Sequence, residues 1–369
     1  MVRTLQILGL VAFASILIVG FAGLALWIVS DGDPVDYVQA SLIRFSLAGQ
    51  EDALNATVST NTSPVRFTVN AGDTPRLIAQ NLQGARLISD PELFIDYVRA
   101  YNLDTQLEAG TFFLNQAQSI PQIAAMLTDS GSGQFAFRIL EGWRIEEIAA
   151  QIDASPFFGF SGGEFLNAVG IGADVPAAFA AWAGLPPGSS LEGFLFPDTY
   201  QLPANLTPDY LVEVLLTNFE SRVQAARLPE RAAADGLTLF QAVTLASIIQ
   251  REAVHPDEHP MISSVYRNRL AINMKLDADP TVQYGIGFNG STWWPRITQA
   301  DYVNTISPYN TYLSIGLPPG PIANPGLSAI EAAVQPAVSD YFYFQARCTG
   351  DGYHNFARTF DEHLANSCF

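Results

Sequence analysis

Residues 5–29 are predominantly apolar and carry no charged side chain. As a helix at 1.5 Å per residue the run is about 37 Å long, enough for a hydrocarbon core of about 30 Å. Arg3 and the amino terminus precede it, and Asp31 and Asp33 follow. That asymmetry favours a cytoplasmic N-terminus and an extracytoplasmic remainder. A cleaved signal peptide is the competing reading. Its apolar region is about 7–15 residues long and ends in a small-x-small site, whereas this run closes on Trp27, Ile28 and Val29. The expectation is a retained single-pass anchor in the cell membrane.

Residues 37–47 are weakly amphipathic, and 55–63 are rich in Ser, Thr and Asn, the composition of a stalk. From Val65 the texture changes. Residues 66–69 alternate as a short strand, Ala71-Gly72-Asp73 makes a turn, and 75–82 opens a helix. The plan repeats with a strand at 110–114 and helical spacing at 120–127. It comes a third time with a strand at 135–140, the turn Glu141-Gly142-Trp143, and a helix at 145–152. Such recurrence suggests small α+β modules; a chance echo inside one mixed domain is the alternative. Beyond Pro156 the chain is rich in Gly and Pro. Helices follow at about 208–226 and 238–253, then largely turns and short strands, a short helix at 327–334 and a late buried strand at 341–345. The class is α+β.

The helix at 238–253 opens on the capping-box pattern Thr238-Leu239-Phe240-Gln241. Thr244, Ser247 and Arg251 share a polar stripe, while Leu245, Ile248 and Ile249 form an apolar one. Glu252 falls at +7, +4 and +3 from those apolar residues, on the side that faces the interior. Desolvation raises the pKa of such a carboxyl toward the range of a general acid at neutral pH. The plainer reading pairs Glu252 with Arg251 or Arg267 at a frayed helix end.

Composition narrows the chemistry. The net charge is −18, with 36 acidic and 18 basic residues and Lys275 the single lysine, which excludes a nucleic-acid partner. Two cysteines, Cys348 and Cys368, are too few for a disulfide-dense mini-fold or a four-cysteine zinc module. Outside the cytoplasm they form either a disulfide near the C-terminus or two unpaired structural thiols. His255-Pro256-Asp257-Glu258-His259 matches the inverted zinc-peptidase pattern H-x-x-E-H, with Glu331 downstream as a third ligand. That pattern needs both histidines on one face of a regular helix, and Pro260 directly after His259 disfavours it.

Two further segments, 276–285 and 310–325, place Asn310, Thr311, Tyr312, Thr281 and Tyr284 among prolines and glycines. Stiff loops presenting hydroxyls, amides and rings suit a carbohydrate, with Trp293, Trp294 and Tyr309 as further platforms.

The motifs L-A-S-I-I-Q-R-E at 245–252, D-P-T-V-Q-Y-G at 279–285, and N-T-Y at 310–312 with G-L-P-P-G-P-I at 316–322 resemble the MltG (YceG-like) family of endolytic murein transglycosylases. L-E-G-F-L-F-P-D-T-Y at 191–200 and H-N-F at 354–356 fit the same pattern. The resemblance implies an anchor (1–30), a stalk (31–64), a LysM-like α+β region (65–137) and a mixed α+β YceG-like catalytic domain (138–369). It implies Glu252 as the catalytic acid and base and Tyr312 as its companion. Glu192, Asp279, Thr281, Tyr284, Asn310 and Thr311 then contact substrate, with neither metal nor other cofactor. The substrate is the peptidoglycan glycan strand, and the partners are the membrane and peptidoglycan synthases. Many members carry glutamate where this chain has Gln250. A muramidase-type hydrolase, a non-catalytic wall-binding scaffold and the zinc peptidase are the alternatives.

Overall fold

The structure, a computed structural model, describes residues 34–129 and 133–368, preceded by a few positions between 20 and 28. The expected anchor lies almost wholly outside the described residues. Among those residues no single helix is long and apolar enough to cross a membrane. Two compact units are present. One runs to Gln134 and includes Pro203–Asn205; the other comprises Phe135–Leu202 and Leu206–Phe369.

The first unit contains α1 (Pro34–Leu47), α2 (Glu51–Asn55), β1 (Val65–Val69), α3 (Pro75–Gly84), α4 (Pro91–Ala100), β2 (Gly110–Leu114) and α5 (Ile120–Leu127). β1 and β2 pair antiparallel with Val65 opposite Leu114 and Val69 opposite Gly110. Their alternation buries Phe67, Val69, Phe112 and Leu114 and leaves the Thr68 and Thr111 hydroxyls 3.2 Å apart outside. The helices begin where the chain supplies caps. Asp90 accepts from the Glu92 and Leu93 amides, and Thr74 from that of Leu77, each with proline in the first turn. Residues 34–55, expected as a stalk, instead fold as α1 and α2. Leu47 and Leu54 enter the same core as Leu82, Phe94 and Val98, because burying those leucines outweighs the polar character of their neighbours.

The second unit contains β3 (Gln134–Arg138), α6 (Ile145–Ala154), α7 (Gly162–Val169), α8 (Ala177–Ala183), β4 (Thr199–Pro203), α9 (Pro208–Ala225), α10 (Leu228–Ala234) and α11 (Leu239–Glu252). A 3₁₀ turn (Pro256–Glu258) leads into α12 (His259–Ala271), α13 (Asp279–Ile286), α14 (Gln299–Asn304), α15 (Leu327–Val334), β5 (Tyr343–Ala346), β6 (His354–Ala357) and α16 (Phe360–Ala365). The third strand–turn–helix echo therefore takes a different partner: β3 pairs with β4, while β5 pairs with β6. The segment from Asp279 onward, expected as turns and short strands with a helix at 327–334, holds three further helices, α13, α14 and α16. α13 starts at Asp279-Pro280, where the acid and the first-turn proline both favour a helix N-terminus.

α11 is the axis of this unit and lies against α10, α12, α13 and α15. Its cap forms as the capping-box pattern requires: Thr238 Oγ1 accepts from the Gln241 amide at 3.1 Å, and the Thr238 amide donates to Gln241 Oε1 at 2.9 Å. The expected polar stripe is not solvated. Thr244 and Ser247 are buried with the apolar residues, since the Ser247 hydroxyl serves the loop beside it, accepting from the Ile322 amide at 3.0 Å.

Candidate active site

Glu252 is the last residue of α11, enclosed but partly exposed. Its Oε1 accepts a 2.5 Å hydrogen bond from the Tyr266 hydroxyl. Oε2 has no hydrogen-bond partner among the described residues and is not sealed from solvent. Burial pushes the carboxyl up to about 7, and nearby Asp279 adds to that. The Tyr266 hydroxyl and the Arg269 and Arg251 guanidiniums pull the other way. The helix-end ion pair does not form. Arg267 pairs with Asp235 at 2.7 Å, and Arg251 lies over the Trp294 ring, 3.8 Å from its centroid.

Beside Glu252, Asp279 Oδ1 accepts from the Tyr312 hydroxyl at 2.7 Å, and the Tyr312 ring stacks on Tyr302 with centroids 4.1 Å apart. Burial, then the hydrogen bond to Asp279, pushes the Tyr312 phenol upward, so it keeps its proton and donates. Two buried threonines fix this geometry. Thr281 Oγ1 and Thr311 Oγ1 are 2.9 Å apart; Thr311 Oγ1 accepts from the Ala278 amide, and Thr281 Oγ1 accepts from that of Thr311. Asn310 closes its own loop, donating to the Tyr302 and Thr305 carbonyls and accepting from the Tyr312 amide.

A second buried acid sits in a different setting. Glu192 is 1% exposed. Its Oε1 accepts from Asn324 Nδ2 at 3.1 Å and its Oε2 from the Ile145 amide at 3.2 Å. Asn324 Oδ1 in turn accepts from the Gly193 and Leu195 amides, each at 3.0 Å. Gly193 has φ +89°, and a Cβ there would lie 2.5 Å from Pro321, so only glycine fits. Burial, then the charge of Glu146, holds the Glu192 carboxyl well above its ordinary range. Nearby, Arg144 lies 4.0 Å from the Tyr284 ring centroid and 4.9 Å from that of Trp293, while its Nε pairs with Glu146 at 3.0 Å. Trp294 Nε1 donates to Glu147 at 2.9 Å.

The site residues expected from sequence thus divide. Glu252, Asp279 and Tyr312 come together with a path to solvent, and Tyr284 keeps a partly exposed ring. Glu192, Thr281, Asn310 and Thr311, expected to touch substrate, are buried and hydrogen-bonded within the protein: Glu192 to the Ile145 amide and Asn324, Asn310 to backbone, and the two threonines to each other and to backbone. They position loops. The reason is common to all four: each side chain satisfies amides or carbonyls that loops without regular ladders leave unpaired.

The H-x-x-E-H pattern does not converge. His255 stacks on Tyr353 and its Nε2 contacts the Asp351 carbonyl. His259 Nδ1 meets Ser328 Oγ at 3.1 Å, and Glu258 pairs with His354 at 2.8 Å. Among the described residues no group of His, Cys, Asp and Glu is arranged to hold a metal. Cys348 and Cys368 form a disulfide. Gln250 Oε1 accepts from the Gly326 amide at 2.9 Å, at the start of α15. A glutamate would fill that acceptor role equally, so the departure costs the site nothing visible.

Sequence reasoning missed Tyr266 and Tyr302. Tyr266 carried a signal: with Ile262, Val265 and Arg269 it makes the i, i+3, i+4, i+7 inward stripe of α12, all four buried. Tyr302 lies on a six-residue helix with no buried residue, where no periodicity points to it.

This arrangement has clear relatives. The YceG-like family model matches residues 67–368. An endolytic murein transglycosylase of Bacillus subtilis is 30% identical over 316 residues, covering 81% of this chain and 82% of that protein. One of Streptococcus pneumoniae is 27% identical over 313 residues, which span 80% of this chain but 56% of that longer protein. A crystal structure of a yceG-like protein from Listeria monocytogenes superposes with a TM-score of 0.56 at 28% identity, covering 83% of this chain and all of the other. The chain, a mixed α+β protein in structure, belongs to the YceG-like family.

Proposed function

We propose that the chain is an endolytic lytic transglycosylase that cleaves the MurNAc-β-1,4-GlcNAc bond inside a peptidoglycan strand and leaves a 1,6-anhydroMurNAc end. One observation carries the reading: a carboxyl raised to about 7, with one oxygen tied to Tyr266 and the other open. Protonated Glu252 donates to the glycosidic oxygen as an oxocarbenium-like centre develops at C1 of the muramic residue. The C–O bond breaks, and the GlcNAc side leaves as its 4-hydroxyl. The Glu252 carboxylate then takes the proton of the C6 hydroxyl as that oxygen bonds to C1. Glu252 is thereby reprotonated, and no water is consumed. Tethered attack supplies a large proximity advantage without a second carboxylate to activate water. Asp279, held by Tyr312, puts negative charge beside the developing cation. No step calls for a metal or other cofactor.

The disulfide and the apolar run at 5–29 support an extracytoplasmic enzyme on a single membrane anchor with a cytoplasmic N-terminus. The strand–helix–helix–strand order of β1, α3, α4 and β2 supports a LysM-like wall-binding unit. An endolytic cut by an anchored enzyme ends a nascent strand, work done beside peptidoglycan synthases.

The test is to incubate the purified protein and its Glu252→Gln variant with peptidoglycan and weigh the new termini. Anhydro ends from the wild type alone are expected. Ends heavier by one water would make the protein a muramidase-type hydrolase, and binding without products a scaffold. The rate should fall as pH rises through about 7, because the donor proton is then lost.

A further inference from the structure

We infer that Tyr266 is the positioning residue of Glu252: by donating to Oε1 it makes that oxygen the acceptor and leaves Oε2 as the single atom from which the acid delivers, and later recovers, its proton. This rests on the reading of Glu252 just given. A carboxylic acid offers two oxygens and rotates about its terminal bond, so an unpinned acid presents its proton in several directions. Here one direction is removed. Tyr266 is 1% exposed, and its ring sits edge-on to Phe344 at 5.7 Å. A phenol this enclosed has little freedom to turn elsewhere. Its only hydrogen-bond partner among the described residues is Glu252. Burial, then the Glu252 charge, pushes the phenol well above its ordinary range, so it remains a donor through the working pH range.

The same bond opposes the other influences on the acid. The groups facing Glu252 are Tyr266 and Arg269 from α12, Asp279 from α13, and Arg251 from its own helix, with Tyr302 and Tyr312 behind Asp279. Arg269 is occupied by the Phe342 and Leu276 carbonyls, each at 2.6 Å, and acts only at a distance. Tyr266 is therefore the one direct donor to the carboxylate. Without it the ionised form loses its hydrogen bond and the proton is held more tightly. The donating half of the cycle suffers twice: the proton is misdirected, and it is held more tightly.

The experiment compares the full-length protein with Tyr266→Phe in two ways. Turnover is followed against pH, and the Glu252 carboxyl is titrated directly by infrared difference spectroscopy, with Glu252→Gln as the assignment control. Expected are a kcat roughly ten- to a hundredfold lower with KM within about twofold, and an alkaline limb and spectroscopic midpoint about one unit higher. Tyr266→3-fluorotyrosine keeps the shape and strengthens the donor; its midpoint should move down, which guards against a folding defect in the Phe variant. Midpoints unchanged in both variants would overturn the inference. The titration is read without turnover. A wild type that forms no anhydro ends would sink the functional reading alone, while a Tyr266-dependent midpoint would still establish the coupling.

Discussion

Two carboxyl groups in the same unit have been taken out of water, and the surroundings of Glu192 and Glu252 differ in one respect. At the junction of the 141–145, 191–195 and 324 loops, both Glu192 oxygens accept hydrogen bonds and the side chain is sealed. At the end of α11, one Glu252 oxygen is held and the other is open. Burial raises both acids. A shifted pKa therefore does not distinguish a structural acid from a chemical one; the free, reachable oxygen does. Asn324 sharpens the point. Its oxygen serves two amides and its nitrogen serves Glu192 and the Trp143 carbonyl, so the junction has nothing left to offer a ligand.

The comparison breaks or holds under substitution. Glu252→Gln should cost at least about a thousandfold in turnover, measured as anhydro ends released, because the amide cannot donate an acid proton. The same variant should be relatively more stable at pH 8 than at pH 4. The wild-type carboxyl has a folded pKa near 7 against an ordinary value of 4.5, so a destabilising term is absent below 4.5 and fully present above 7. Thermal unfolding at the two pH values reads this. An unchanged difference would mean that Glu252 is ionised and solvated. Asn324→Ala should destabilise the second unit by about 3 kcal/mol or more, since it strands the Gly193 and Leu195 amides and one oxygen of the Glu192 carboxyl. Denaturant unfolding checks it, and turnover per folded molecule should survive far better than in Glu252→Gln. Asp279→Asn removes a negative neighbour and should move the alkaline limb of the pH profile to lower pH, opposite to Tyr266→Phe. Glu192→Gln should do least to turnover per folded molecule, which it retains, while stability falls by about 1–3 kcal/mol, because the amide nitrogen cannot accept and leaves either the Ile145 amide or Asn324 Nδ2 without its partner. A large loss of turnover in Glu192→Gln would erase the distinction between the two acids.

Much of the framework was legible locally. The Thr238 capping box, the helix ending at Ala225 and the short helix α15 are decided by hydrogen bonds at three- and four-residue range, and β1 and β2 announce themselves by the alternation of their own residues. Glu252 was legible because helical spacing alone placed it with Leu245, Ile248 and Ile249. The buried thread of Thr244 and Ser247 was not, since a hydroxyl on a helix looks solvated until the amide it serves is known, and Ile322 lies 75 residues away. The Thr281–Thr311 pair is hidden from sequence for the same reason: the two hydroxyls lie 30 residues apart along the chain and meet only after folding.

By itself the sequence determined the strongly periodic helices such as α5, α6, α9, α11 and α15, the strands β1, β2 and β3, the acidic balance and the presence of an acid on an oily helix face, because periodicity, caps and composition act over a few residues. The tertiary structure decided which acids are spent on holding loops and which oxygen stays free. Tyr266 reaches Glu252 across 14 residues and Asn324 reaches Glu192 across 132. Hydrogen-bond partners so distant along the chain leave no pattern in it, and only packing brings them within reach.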